Sequence, residues 1–452
     1  MWWSFVCRVS LGLGGLVLVL PSWGCDLTGR DRLNQITTKL EAQGASVAVV
    51  AAESKVGSPW LINWAGDRYF VPASLVKLFT TAAALTRLQP DFRIPTRLWG
   101  KGSKYGLLDD LILEGNGDPS FNSMQLQRLV RQLAQTGIKR INRIQFRDRL
   151  AADLPSGWEW QDLIEEYGAP PHGLIINFNA LAWRLEPGKK LGDQAIFRWQ
   201  TPELAQDWQV ENRAVTSHHS SEWQIQRQLN QPKLTITGRL ALGAQPEQGA
   251  TVVLDPPINF QRHLELELKN QGILVQNQPP SPKPQPEQLL AIVYSPSLKA
   301  LISTTNKDSE NLYAENLRVI AGKQLEELWS RWAIDPQDLI LVDGSGLARR
   351  NRLKPRAVVQ LLQAMANNAA FRNSLAIAGI DGTLKLRLTS SQIIGKTGTL
   401  EGIAALAGYI LGEPELAFVL VINHGDPQAK INRQALDAIA LELKQLQLCK
   451  LN

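Results

Sequence analysis

Cysteine is scarce in this chain. Its 452 residues hold three, with no Cys-x-x-Cys and no His/Cys cluster, so disulfides cannot carry the fold and a metal site is not indicated. Basic runs are missing too. Forty-eight Lys and Arg against 42 Asp and Glu leave a net charge of +6, yet no five basic residues stand together, so a nucleic-acid footprint is not indicated. So small an excess reads first as a solvated surface, and only second as an attraction to anionic polymers outside the cell. Histidine is sparse: His172, His218, His219, His263 and His424 sit beside no nucleophile elbow. Gly344-Ser345-Gly346 lacks the Gly-x-Ser-x-Gly spacing, so a Ser-His-Asp hydrolase finds no anchor, and His172 and His263 read as structural. No internal repeat is visible.

What is present begins with a leader. Met1 to Arg8 carries one positive charge, Val9 to Pro21 is almost purely apolar, and Ser22-Trp23-Gly24 places small residues before a cut ahead of Cys25. That apolar stretch is too short to span a bilayer, so residues 1–24 read as a secretory signal and the chain as exported to the periplasmic or extracytoplasmic space. A lipoprotein signal also cuts before a cysteine, which would attach Cys25 to a membrane, but Ser22 and Trp23 do not suit that pattern. Once Cys7 leaves with the signal, Cys25 and Cys449 remain at opposite ends, able to pair if the termini meet.

With 44% hydrophobic and 20% charged residues, the mature chain can fill two or three ordinary globular domains. Arg32 to Gln43 has helical spacing, and Ala45 to Ala52 and Trp60 to Trp64 read as strands. Ser74 to Leu88, free of Pro and Gly, reads as a buried helix. From Phe92 to Ile292 the character changes to short β-like stretches separated by turns, closed by the Pro-rich strip 279–286. Helices return over Ser309 to Leu328 and Pro355 to Asn367. Three strands (Ile393 to Lys396, Ile403 to Leu411, Leu416 to Asn423) and a helix (Ile431 to Leu448) end the chain. The predicted class is α+β: an antiparallel sheet flanked by helices, built from residues 25–91 and 291–452, bracketing β-rich inserted domains over 92–290, with a second unit nested near 183–254.

Three short motifs carry chemistry: Ser74-Leu75-Val76-Lys77, Ser309-Glu310-Asn311 and Lys396-Thr397-Gly398. A Ser and a Lys three residues apart share one helix face, so the amine can reach the hydroxyl. Lysine can take that proton only if burial or a second cation lowers its pKa, and Lys396 is the cation at hand. A helix start adds backbone N–H groups for a developing oxyanion. Ser74 is the only serine with Lys three residues on, and Lys-Thr-Gly occurs once, followed by Thr399. Ser120-Phe121-Asn122 fits the middle motif as well as Ser309-Glu310-Asn311 does, but only the latter opens a predicted helix. Taken singly, Ser74 and Ser309 read as helix caps and Lys396 as a solvated strand residue. Their order along one chain favours the chemical reading.

On these motifs the sequence resembles the class C low-molecular-mass penicillin-binding proteins of the DacB type, D-alanyl-D-alanine carboxypeptidases and endopeptidases. The likeness extends to Gly115-Asn116-Gly117-Asp118-Pro119, Asp343-Gly344-Ser345-Gly346-Leu347 and Ala378-Gly379-Ile380-Asp381-Gly382-Thr383-Leu384. It also covers the 231 residues between Lys77 and Ser309, a gap too long for a β-lactamase. The resemblance implies a penicillin-binding, β-lactamase-like transpeptidase domain. It further implies Ser74 as acylated nucleophile, Lys77 as its base, Ser309 and Asn311 as proton relay and substrate holder, and Lys396 as tuner. Thr397, Gly398 and Thr399 would bind the substrate, the two threonines taking its terminal carboxylate, and Asp162 would face its side-chain amine. Glu310 stands where Asp is usual, and Ala348 where Ser is common. No cofactor is implied; the partners are peptidoglycan stem peptides, with β-lactam antibiotics as covalent inhibitors. The rival reading is a catalytically idle wall-binding or scaffold protein that uses its 14 tryptophans to stack on sugars.

Overall fold

A computed structural model of the chain describes residues 23–449, apart from 151–152, 160–161, 165, 219, 229–230, 254, 280–285 and 323–325. Nearly all of the expected leader, the side chains of Cys25 and Cys449, and most of the Pro-rich strip lie outside the described residues.

The run Ser46–Glu53 is apolar on both faces, so it belongs in the middle of a covered sheet, and there it lies. It pairs along its whole length with Leu416–Asn423, from Ser46 opposite Asn423 to Glu53 opposite Leu416. The full order is Ala376–Ile377, Ile393–Leu400, Ile403–Ile410, Leu416–Asn423, Ser46–Glu53, Trp60–Trp64, with every pairing antiparallel. Period-two alternation then divides the side chains between two cores. Val47, Val49, Phe418 and Leu420 meet the terminal helices Trp23–Ala42 and Ala429–Cys449. Ala48, Val50, Val419 and Val421 meet the helices Val76–Leu88, Leu298–Lys307, Asn311–Ala321 and Pro355–Met365. The helix expected over 309–328 is two: the first stops at Gly322, whose φ of +92° suits a residue without Cβ, and a second runs over Glu326–Arg331.

The intervening stretch is less purely β than its sequence suggested. A five-stranded sheet in the order Leu274–Val275, Arg140–Asp148, Leu107–Gly115, Pro95–Lys104, Gln288–Tyr294 carries two helices, Ser123–Gln135 and Pro256–Asn270. Leu126, Leu129, Val130 and Leu133 form the buried stripe of the first, at the spacing of a helix face. The strand Gln288–Tyr294 closes this sheet, which therefore runs four residues past the expected boundary at position 290. Within it, residues 180–252 form a three-stranded and a four-stranded sheet around Trp183, Leu185, Ile236 and Leu240.

Candidate active site

Ser74 lies in a short 3-10 turn, Ala73–Leu75, that runs straight into the helix Val76–Leu88. Ala73 has φ +48°, a conformation that turns the chain sharply and presents the serine. The turn is packed against backbone on two sides. A Cβ on Gly346, itself at φ +82°, would stand 1.9 Å from the Ala73 carbonyl. One on Gly398 would meet Pro72 O at 2.9 Å and Ser74 N at 3.2 Å. The two glycines let the loop at 343–347 and the strand Ile393–Leu400 touch the Ser74 turn.

One helical turn on, Lys77 is fully buried. Its Nζ lies 3.0 Å from Ser74 Oγ, 2.6 Å from Asn311 Oδ1 and 2.7 Å from Ser345 O. The last two are carbonyl oxygens and can only accept. A neutral amine therefore spends both N–H bonds on them, which leaves its lone pair facing the Ser74 hydroxyl. Burial lowers the Lys77 pKa to about 8 against the pull of Asp343, Glu315 and Glu310.

Strand alternation puts Lys396 and Gly398, opposite Ala407 and Ala405, on the face turned to the helix Val76–Leu88. Lys396 is fully buried, donating to Ser309 Oγ at 2.9 Å and Thr397 O at 2.7 Å. Its pKa falls well below the lysine value through burial first and the charge of Lys77 second. The expected influence of one lysine on the other thus shows on Lys396, whereas burial does the work at Lys77. Thr397 Oγ1 donates to Thr383 Oγ1 at 2.8 Å, which joins the segment 378–384 to the same strand.

The competing motif separates cleanly. Asn122 caps the helix Ser123–Gln135 by accepting from Met124 N and Gln125 N, and Ser120 donates to Asp118. In the other motif Glu310 is the N-cap position and Asn311 the first helical residue, so Ser309 is not the cap its sequence first suggested. Asn311 also donates through Nδ2 to Tyr167 O at 3.0 Å, a contact from the inserted region with no sequence signal. Ser74, Ser309, Asn311, Thr399, Asp162, Glu159, Tyr167, Arg349 and Glu401 line one cleft of about 530 Å3. Asp162 is half-buried there, accepts from Glu159 N at 3.0 Å, and is pushed up by burial.

Two carboxylates stand behind this cleft: Glu315, which no motif reaches, and Asp343, which opens the segment Asp343-Gly344-Ser345-Gly346-Leu347 but carries no role implied by the sequence. Glu315 is buried against the loop 343–346, and its pKa is pushed up to about 7 by burial and then by Asp343. Asp343 accepts from Gly346 N, Ala348 N and Asn351 Nδ2, and from Trp158 Nε1 at 3.0 Å. Glu315 lies four residues after Asn311 on the same helix, the spacing that puts two side chains on one face.

A serine held by a lysine that has lost most of its affinity for a proton, with a second buried lysine close by, is the apparatus of a serine acyl-transferase that dispenses with histidine. The chain belongs to the D-Ala-D-Ala carboxypeptidase 3 (S13) family, whose model matches residues 30–443. It is therefore a serine-type D-alanyl-D-alanine carboxypeptidase. It is 29% identical to D-alanyl-D-alanine carboxypeptidase DacB of Haemophilus influenzae, over 95% of this chain and 96% of that one. It is also 29% identical to the D-alanyl-D-alanine carboxypeptidase of Actinomadura sp. (strain R39), over 96% and 88%. The crystal structure of penicillin binding protein 4 (dacB) from H. influenzae superposes with a TM-score of 0.77 at 27% identity, covering 91% of this chain and 97% of that one. The same protein complexed with a novel β-lactam gives 0.72 at 25% identity, covering 91% and 98%.

Proposed function

We propose that Ser74 is the acylated nucleophile of this carboxypeptidase and Lys77 its general base. One observation carries the reading: the buried Lys77 amine, its two N–H bonds claimed by carbonyls, stands 3.0 Å from Ser74 Oγ. Ser74 gives its proton to Lys77 and attacks the carbonyl of the penultimate D-Ala. The backbone N–H groups of Ser74 and Thr399 receive the oxyanion. As the C–N bond breaks, the proton taken up by Lys77 passes to the departing amine through Ser309, which Lys396 holds. Water then attacks the ester and frees Ser74. Thr397 and Thr399 bind the terminal carboxylate, Gly398 lets their strand approach, and Asp162 faces a side-chain amine on the stem peptide.

A cross-link ends in an amine acylated by D-Ala, so the same chemistry extends to endopeptidase cleavage. β-Lactams acylate Ser74 and stay attached. The reading places the enzyme outside the cytoplasm, on peptidoglycan, with residues 92–294 as inserted domains in a transpeptidase unit formed by 25–91 and 295–452. No helix among the described residues is long and apolar enough to cross a membrane.

The test is intact-mass spectrometry of the protein with benzylpenicillin, beside Ser74→Ala. One equivalent of adduct on the parent and none on the variant is the expected result. A folded parent that takes no adduct overturns the assignment.

A further inference from the structure

Ser345, in the segment Asp343-Gly344-Ser345-Gly346-Leu347, accepts from the base through its carbonyl, and the buried Glu315, which has no part in the chemistry above, holds that segment. Glu315 Oε1 accepts from Gly344 N at 2.9 Å and Ser345 N at 2.8 Å, and its Oε2 lies 3.0 Å from Gly344 N. From the other side Asp343 accepts from Gly346 N at 2.8 Å and Ala348 N at 2.7 Å. Thr80 of the nucleophile helix donates to Gly344 O at 2.7 Å. With these groups pinned, the Ser345 carbonyl points at Lys77 Nζ, 2.7 Å away.

We propose that Glu315 is a positioning residue for the general base: by clamping the loop 343–346 it aims the Ser345 carbonyl at Lys77 and so turns the lysine lone pair to Ser74. The inference rests on the Ser74 and Lys77 assignment. It explains why a carboxylate 1% exposed is kept beside a second one, although neither has a lysine or arginine ion pair among the described residues. Three amide contacts stabilise Glu315, and what they fix is a carbonyl that only the base uses. The charged groups around Lys77 are Glu310 and Glu315 at the helix Asn311–Ala321, Asp343 on the loop, and Lys396 on the strand; Arg318 and Asp343 face Glu315.

The variants Glu315→Ala and Glu315→Gln separate this role from a merely structural one. Alanine removes the acceptor, whereas glutamine keeps one oxygen for both amides and removes the charge. Acylation by benzylpenicillin is followed against pH, with turnover of a D-Ala-D-Ala peptide alongside. For Glu315→Ala the plateau acylation rate falls by about tenfold or more while KM for the peptide stays within about twofold. For Glu315→Gln most of the plateau returns, and the acid limb moves to lower pH because an anion that holds Lys77 protonated has gone. A Glu315→Ala plateau at the parent rate, or a Glu315→Gln limb at the parent pH, overturns the proposal. If the alanine variant does not fold, the limb of the glutamine variant decides. Ser74→Ala in the same assay loses the adduct if the nucleophile is correctly assigned; an adduct there overturns that assignment whatever Glu315 does.

Discussion

Lys77 and Asn311 stand 234 positions apart in sequence and meet at 2.6 Å, Nζ to Oδ1. The other end of the same amide donates to Tyr167 O at 3.0 Å, so the asparagine is held by Tyr167 while it holds Lys77. Asn311→Ala frees one N–H of Lys77 and lets the amine rotate away from Ser74. Acylation by benzylpenicillin should slow by about ten- to a hundredfold with the circular dichroism unchanged. Asn311→Asp should instead move the acid limb of acylation to higher pH, since a new anion favours the protonated lysine.

The pH profile of the parent follows from the same lysine. A base works only when neutral, and below its folded pKa of about 8 the Lys77 amine is protonated. Acylation should therefore rise with pH and level off above about 8. At pH 7, one unit lower, roughly a tenth of the enzyme is competent. Stopped-flow acylation between pH 6 and 9.5 checks this, and a rate flat across that range refutes Lys77 as base.

Gly398→Ala tests the contact between strand and nucleophile turn. The added methyl would press on Pro72 O at 2.9 Å and Ala73 Cβ at 3.1 Å, and the strand must retreat from Ser74 N. Loss of one oxyanion donor costs about two to three powers of ten in rate, and a loss of at least one power is expected here. A thermal melt close to the parent's, together with slow acylation, locates the damage in the site.

Asp162→Asn should act on substrate choice alone. KM for stem peptides with a free side-chain amine should rise by about tenfold, one charge-assisted contact being lost. Peptides with that amine acetylated, and benzylpenicillin, should react as with the parent.

The middle of the central sheet was legible because Ser46–Glu53, Ile403–Ile410 and Leu416–Asn423 are nearly unbroken apolar runs, the pattern of strands covered on both faces. The two-residue edge strand Ala376–Ile377 was not foreseen. Ser74 and Lys77 were legible because their spacing is unique in the chain and local to one helix. The helix Ser123–Gln135 was missed although Leu126, Leu129, Val130 and Leu133 show its period; the surrounding strand-like stretches drew the whole region to β. Glu315 offered a signal in its distance from Asn311. Tyr167 offered none: it contributes a backbone carbonyl, which any residue type has, and only the folded chain brings it to Asn311.

Pairing of Ser46–Glu53 with Leu416–Asn423 has a consequence for biosynthesis. The strand made early stays an open edge until nearly the whole polypeptide has emerged, while residues 95–294 contain sheets they can complete among themselves. Contacts of such sequence separation close slowly and late. A nascent chain therefore carries Ser74 and Lys77 without Asn311, Ser345 or Lys396 beside them. On the proposed assignment the enzyme gains its assembled site only when its last strand docks, and a prematurely terminated product would hold Ser74 without the groups that activate it.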